Sequence, residues 1–426
     1  MEKKIRVGVL GGFRGTSMIH YCRDAGNAEI VAICDYNPEV VEKQKEYTKG
    51  HDVTFYADYD EFLKHDMDAV VLANYAHQHA PFAVKALKAG FHVFSEVLPC
   101  QTMKEAVELI EAVESTGKIY AYGENYCYMR APYEMKRLYE KGKIGEFEYG
   151  ECEYIHNCES PWHTLTYGER DHWRNNMYST FYCTHSIGPI IHATGLRPVS
   201  VIGIEGTKNE RNQRKGAKGG QFGIEMITLE NGGIVKSIHG PLYKNSIWYC
   251  MYGSKGCMES GREALNPLNA NPDECQQTFI LNVRYDEESG DYFNPKQENY
   301  RPTLEFDHLT RGFGHGGSDF YCMWHFIEKI KGNPKADIID VYEAMDMFLP
   351  GMFAFRSILD ESKSKEIPNL RDKAVRELWR NDTACTDPEV AGDMLLPTAV
   401  GGTPDISDEV YDYVKNLYES HYPVKW

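Results

Sequence analysis

From Lys4 to about Ala121 the chain alternates short apolar runs with amphipathic segments, and this alternation constrains the fold more than any other feature. Ile5–Leu10, Glu29–Cys34, Ala69–Asn74, His92–Ser95 and Ile119–Tyr122 read as buried strands. Met18–Ala25, Pro38–Lys49, His79–Ala89 and Met103–Ser115, between them, read as helices. Such a pattern predicts a doubly wound parallel sheet, because the crossover between parallel strands has one favourable hand. Ligands of these sheets lie beyond the carboxyl ends of the strands, so the chemistry is sought there.

The first strand runs into Gly11-Gly12-Phe13-Arg14-Gly15. Glycines at this turn let the backbone approach a pyrophosphate seated on the N-terminus of the next helix, where free N–H groups and the helix dipole favour anions. The match to G-x-G-x-x-G is imperfect, since counting from Gly11 the other two positions are Phe13 and Thr16. The second strand adds Asp35, 24 residues after Gly11, where a carboxylate accepts from both ribose hydroxyls and repels a 2′-phosphate. NAD rather than NADP is therefore the expected cofactor. The third strand ends at Asn74-Tyr-Ala-His77-Gln-His79, which makes Asn74, His77 and His79 candidate cofactor contacts. Capping of the following helix is the competing reading for these three.

After Tyr128 the pattern changes. A helix near Tyr133–Lys141 precedes an apolar-polar strand at Glu146–His156, then the runs Val199–Ile204, Phe222–Leu229, Gly233–His239 and Ser246–Tyr252. The Asn231-Gly232-Gly233 turn favours a hairpin. We expect an α+β second domain with a large, mostly antiparallel open sheet, and a division into an NAD-binding Rossmann domain at 1–127 and a substrate-binding and oligomerisation domain at 128–426. Asn266–Asp307 is polar and aperiodic and reads as a long insertion over the sheet. Helical stretches follow at Asp319–Ile330, Asp340–Leu359 and Asp408–Tyr418.

Charge narrows the partners. With 46 basic and 63 acidic residues the net charge is −17, a field that repels nucleic-acid backbones and anionic lipid. The basic stretch Lys208–Lys218 (KNERNQRKGAK) runs against this balance and reads as a solvated loop without a function. No apolar run reaches the roughly 18 to 20 residues that span a bilayer, and Met1-Glu-Lys-Lys-Ile-Arg6 leads directly into a strand rather than a signal-peptide core. The 12 cysteines form no C-x-x-C. A cytoplasmic protein with reduced thiols is expected. The 29 tyrosines outnumber 18 phenylalanines and 6 tryptophans combined, a composition suited to polyhydroxylated ligands.

Further segments carry a family likeness. Phe94-Ser-Glu96-Val97-Leu-Pro99-Cys-Gln-Thr102, Gly123-Glu124-Asn125-Tyr-Cys-Tyr128 and Lys143-Ile-Gly-Glu146 resemble the glucose-fructose oxidoreductase / inositol dehydrogenase / MocA (Gfo/Idh/MocA) family, over most of the chain and most clearly from residue 4 to about 205. Most of that family has lysine after the glutamate, where this chain has Val97. Its D-x-G-x-H-x-x-D motif reads here Phe181-Tyr-Cys-Thr-His185-Ser-Ile-Gly188, keeping only the histidine. Glu124-Asn-Tyr-Cys-Tyr, Tyr154-Ile-His156, Tyr182-Cys-Thr-His185-x-x-Gly-Pro189 and Gly314-His315-Gly-Gly-x-Asp319 are similar to the NAD-dependent glycosidase branch typified by bacterial α-N-acetylgalactosaminidases, with Cys183 in place of a usual proline. Those relatives are commonly exported with a twin-arginine leader, which this sequence does not show.

The residues themselves point to proton transfer. Tyr154 and His156 are two apart on a strand and project from one sheet face; Tyr182 and His185 are three apart at a helix start and share a face there. Both pairs are expected to border the crevice between the domains. Removing hydride from a secondary alcohol requires a base for the hydroxyl proton, and histidine titrates near neutrality. With the family's lysine absent, the base is a histidine or a tyrosine, and His185, with Tyr182 beside it, is the first choice. The resemblance implies oxidation at sugar C3, loss of the C2 proton, elimination of the anomeric substituent, addition of water and reduction of the ketone by a retained, tightly bound NADH. Tyr154 and His156 are candidates for the C2 proton and the departing group, in either assignment.

Glu96, Glu124 and Asn125 are expected near the nicotinamide, and His315 and Asp319 near the substrate. Arg174 either clamps a polar substituent or stacks on Trp173. The spacing of His156, His163, His172, His185 and His192 fits no helical metal motif, so no metal is expected. A simple NAD-dependent sugar 3-dehydrogenase is the alternative function, and a non-catalytic sugar or NAD sensor a more distant one. A homo-dimer or homo-tetramer is expected from the open sheet face.

Overall fold

The computed structural model describes residues 3–262, 279–283 and 296–421. The chain forms two compact units. One comprises Met1–Arg130, Thr303–Met345 and Leu370–Asp382; the other comprises Ala131–Pro302, Asp346–Asn369 and Thr383–Trp426.

The first unit holds a six-stranded parallel sheet made of β1 (Ile5–Leu10), β2 (Ala28–Cys34), β3 (Thr54–Tyr56), β4 (Ala69–Leu72), β5 (His92–Glu96) and β6 (Tyr120–Gly123), in the order β3-β2-β1-β4-β5-β6. The strands are apolar almost throughout because helices cover both faces of a parallel sheet. Five of them lie where the apolar runs predict. β3 was not anticipated, being three residues long and partly exposed at the sheet edge. Strand order reverses between β1 and β4, which puts Gly11 and Asn74 on either side of the switch point.

The later segments of this unit are fixed by charge as well as by apolar packing. Arg376, on the Lys373–Trp379 helix, is 1% exposed and donates from Nη1 and Nη2 to Glu114 at 3.0 Å each. Arg380, the C-cap of the same helix, reaches Glu111 at 2.9 and 2.6 Å. Both acids lie on the Met103–Thr116 helix.

In the second unit the described strands are β7 (Phe147–Ile155), β8 (Pro198–Glu205), β9 (Gly223–Leu229), β10 (Ile234–Gly240), β11 (Ser246–Gly253), β12 (Gly256–Ser260), β13 (Phe279–Val283), β14 (Lys296–Tyr300) and β15 (Lys365–Glu366). They form one sheet ordered β14-β13-β12-β11-β7-β10-β9-β8-β15, antiparallel except where β7 pairs with β10. The hairpin expected at Asn231–Gly233 joins β9 to β10, with Gly232 at φ +87°. The insertion expected at Asn266–Asp307 lies largely outside the described residues. Its described parts, β13 and β14, extend the edge of the sheet rather than lying over it, pairing in series from β12.

One helix positions the site in this unit. Thr184–Thr194 packs on β7, β10 and β11, and Gly150 of β7 permits the approach, since a Cβ there would sit 2.8 Å from Ile190 Cδ1. Ser186 Oγ and Ser237 Oγ, 2.6 Å apart, tie the helix to β10.

Candidate functional site

In the first unit, the carboxyl ends of β1, β2 and β4 form a cradle. Gly11 has φ +90°, and a Cβ on it would lie 2.3 Å from the Ala73 carbonyl oxygen. A Cβ on Gly15 would lie 2.5 Å from the Gly11 carbonyl. Only glycine lets the backbone take this path. The Thr16–Asp24 helix that follows has no side-chain cap. Asp35 accepts from the Gly12 N–H at 2.7 Å and the Asn37 N–H at 2.8 Å, so its carboxylate is held at the end of β2. Burial raises its pKa and these two backbone bonds oppose the rise. Asn74, just past β4, has its side-chain oxygen and nitrogen buried without hydrogen-bond partners. Unpartnered buried amides are uncommon in a finished site, so glycine cradle, oriented acid and waiting amide together fit a dinucleotide.

The expected cofactor and substrate residues of this unit fall into one ionic network. Arg14 donates to Asp319 Oδ2 at 3.0 Å and Oδ1 at 3.2 Å, and its Nη2 lies 2.7 Å from Glu96 Oε1 in an ion-pair contact without hydrogen-bond geometry. Asn125 Nδ2 donates to Asp319 at 3.0 Å, and His315 Nδ1 lies 3.1 Å from it. Burial works against ionising Asp319, but the charges and hydrogen bonds of Arg14 and His315 hold it well below the usual carboxylate range. Glu96 is pushed up to about 7 by burial, with Arg14 pulling it back. Arg14 and Asp319 therefore spend their polar atoms on each other, whereas the sequence suggested direct ligand contacts. Glu124 is fully buried and accepts from the Tyr126 N–H at 3.2 Å.

His79 does not reach the cradle. Its ring is buried, with Nδ1 2.9 Å from the Leu98 carbonyl and Nε2 3.2 Å from the Asn74 carbonyl, and burial lowers its pKa to about 4. It clips two loops together, which is the capping-type role, and offers no nitrogen to a cofactor. Phe13 is 70% exposed at the tip of the glycine turn, and His77 follows Asn74 in the short helical turn Ala76–Gln78.

In the second unit the four proton-transfer candidates converge. Tyr154 shares the sheet face of Gly150, the face that the Thr184–Thr194 helix covers, and its ring meets His185 at a centroid distance of 4.7 Å. Tyr182 also stacks on His185, at a centroid distance of 5.6 Å. Tyr154 Oη lies 3.4 Å from His156 Nδ1. Arg174 donates to Tyr182 Oη at 3.3 Å and sits 4.5 Å from the Trp173 ring centre, the stacking that was one of its two readings.

Sequence reasoning missed three neighbours. Cys158 Sγ is 3.1 Å from His156 Nδ1. Lys215, from the stretch read as a solvated loop, is 6% exposed and lies 4.2 Å from the Trp162 ring centre. That loop folds onto the end of β7 instead, Arg211 reaching Glu159 at 2.8 Å and Asn157 at 2.9 Å. Tyr249 of β11 donates to the His185 carbonyl at 2.6 Å. Only the two-residue step from His156 to Cys158 was visible in the sequence. Among the described residues no cluster of three or more His, Cys, Asp or Glu could hold a metal ion, and no helix is long and apolar enough to cross a membrane.

Residues 5–124 match the family model described as the oxidoreductase family with an NAD-binding Rossmann fold, Gfo/Idh/MocA, and residues 285–376 match the C-terminal domain of glycosyl hydrolase 109. Residues 5–124 thus match the NAD-binding Rossmann domain of the Gfo/Idh/MocA family. Curated relatives that the chain matches are glycosyl hydrolase family 109 proteins. A glycosyl hydrolase family 109 protein of Shewanella amazonensis is 31% identical over 205 residues, 44% of this chain and 44% of that protein, so this match spans less than half of the relative. A second, from Shewanella sp. ANA-3, is 25% identical over 413 residues, 88% of this chain and 87% of that one. The crystal structure of scyllo-inositol dehydrogenase from Lactobacillus casei with NAD(H) and scyllo-inositol shares the Gfo/Idh/MocA fold, with TM-score 0.64 and 17% identity over 86% of this chain and 99% of that one.

Proposed function

We propose that this protein is an NAD-dependent enzyme that cleaves a glycoside by a redox-neutral route beginning at a ring carbon, C3, of the sugar. The observation that carries this reading is the contact of Tyr154 and Tyr182 with the His185 imidazole, Tyr154 also reaching His156, with no lysine at position 97 to act as base. When bound, NAD supplies hydride acceptance from the sugar and hydride return to it. The Gly11–Gly15 turn, Asp35, Asn74 and His77 hold that cofactor tightly, and Asp319 positions Arg14, Asn125 and His315.

His185 takes the proton of the hydroxyl whose carbon is oxidised, and the flanking tyrosine rings fix its plane. Tyr182 and Arg174 orient a polar substituent. The C2 proton and the leaving oxygen fall to Tyr154 and His156, which share a hydrogen-bond contact and can pass a proton between them. The half-exposed apolar side chains Ile202 and Ile204 on β8 and Tyr252 on β11 fit a face that pairs in a homo-dimer or homo-tetramer. Eleven free cysteines among the described residues fit a reducing, cytoplasmic setting.

The experiment is incubation with aryl glycosides in deuterated water without added NAD. Aglycone release with deuterium at C2 supports the proposal, and His185→Ala is expected to lower that release by about 10²–10⁴-fold, the usual worth of a general base. Stoichiometric NADH with an intact glycoside would replace it by simple 3-dehydrogenation. Sugar binding that His185→Ala leaves unchanged, without turnover of any glycoside, would favour a sensor.

A further inference from the structure

Beside the four proton-transfer residues lies a group that the mechanism does not use. Cys158 follows β7 at the point where the chain leaves the sheet, and it is only partly buried. Its sulfur is 3.1 Å from His156 Nδ1. Lys215, 94% buried, lies over the Trp162 face and acts on this sulfur through its charge, and among the described residues it has no carboxylate within ion-pair distance and no side-chain hydrogen bond. A buried ammonium without an anion is costly. Glu159, the residue after Cys158, is taken by Arg211 and Arg214. The charged groups acting on the sulfur are His156 at the end of β7, Lys215 from the basic loop and Arg174 after Trp173, while Glu159, Arg211 and Arg214 act on Lys215.

We propose that Cys158 rests as a thiolate, the counter-ion of Lys215, and is the site at which this protein is covalently modified by soft electrophiles, hydroperoxides in particular. Burial favours the neutral thiol, but the His156 hydrogen bond and the charges of His156, Lys215 and Arg174 outweigh it and bring Cys158 below the ordinary thiol range. Burial brings the Lys215 ammonium down to about 8, and the charge of Cys158 works against that fall, so each group sustains the other's ionisation. In the modification step a Cys158 lone pair attacks a peroxide oxygen. The S–O bond forms as the O–O bond breaks, the departing alkoxide takes a proton from His156 or solvent, and the sulfur is oxidised by two electrons to the sulfenic acid while the hydroperoxide is reduced to the alcohol. An oxygen on this sulfur would stand next to His156.

The test is a pulse of iodoacetamide on the native full chain from pH 5.5 to 9, with alkylation at each cysteine quantified by peptide mass spectrometry. Cys158 is expected to react first, and at pH 6.5 about fivefold faster than a model thiol, because its gain in thiolate fraction exceeds its loss of intrinsic nucleophilicity. Lys215→Met should move its pH profile toward that of an ordinary thiol, and Lys215→Arg, which keeps the charge, should not. If Lys215→Met fails to fold, the wild-type profile decides alone. A wild-type Cys158 that titrates like a model thiol, or another cysteine reacting first, overturns the proposal. Since alkylation needs neither substrate nor NAD, this result stands apart from the proposed glycoside chemistry.

Discussion

Tyr249 donates a 2.6 Å hydrogen bond to the carbonyl of His185. The reason lies four residues along the helix. Pro189 has no N–H, so the His185 carbonyl lacks its helical donor, and a buried carbonyl needs a partner. A tyrosine from β11 takes the place of the missing amide and pins the residue whose imidazole contacts both Tyr154 and Tyr182.

Tyr249→Phe is therefore expected to cost about 1–3 kcal/mol of stability, the penalty for a buried acceptor left unsatisfied. Denaturant unfolding measures this. If Tyr249 also positions His185, turnover falls further than stability explains while KM stays near its original value; equal kcat in variant and parent would limit Tyr249 to a purely structural role.

Glu96 sets a pH dependence with a definite sign. Its folded pKa of about 7 lies above the ordinary carboxyl value of 4.5, so the folded state prefers the protonated form, and this preference is lost as pH rises through about 7. Thermal melting from pH 5 to 8 should show the parent losing stability relative to Glu96→Gln, by at most about 3 kcal/mol for a shift of this size. A parent-minus-variant difference that is flat or grows with pH would contradict it.

Asp35 carries the ribose expectation. Asp35→Ala should weaken NAD binding about 10- to 100-fold, the worth of hydrogen bonds to a charged acceptor, with a smaller change for NADP, whose 2′-phosphate no longer meets a carboxylate. Calorimetric titration of both cofactors provides the comparison. Unchanged NAD affinity would remove Asp35 from the site.

How far the sequence reaches depends on the range of the interaction. The runs Ile5–Leu10 and Ser246–Tyr252 are legible because burial of a strand writes itself into consecutive residues. β14, Lys-Gln-Glu-Asn-Tyr, carries no such signature, since its residues 296–299 are exposed, and it exists only through pairing with β13. The pairs Tyr154/His156 and Tyr182/His185 were legible as local spacings, but their meeting at one imidazole depends on Gly150 admitting a helix. Arg14 looked like a cofactor contact because it sits among glycines; its partner Asp319 lies 305 residues away. Lys215 looked solvated because charged residues in polar loops usually are, and nothing local announces Trp162 beneath it.

The buried Arg376 on Glu114 belongs to a unit assembled from three separated stretches of chain, the last ending at Asp382. A ribosome delivers these stretches in order, with the whole of β7 to β14 in between, so the nucleotide-binding half is not complete until nine-tenths of the protein has been synthesised. Gene fusion at one junction would leave Glu114 without its arginine-bearing segment and Arg14 without its aspartate-bearing one. Shuffling of this cofactor module among enzymes is thus restricted to exchanges that carry both late segments with it.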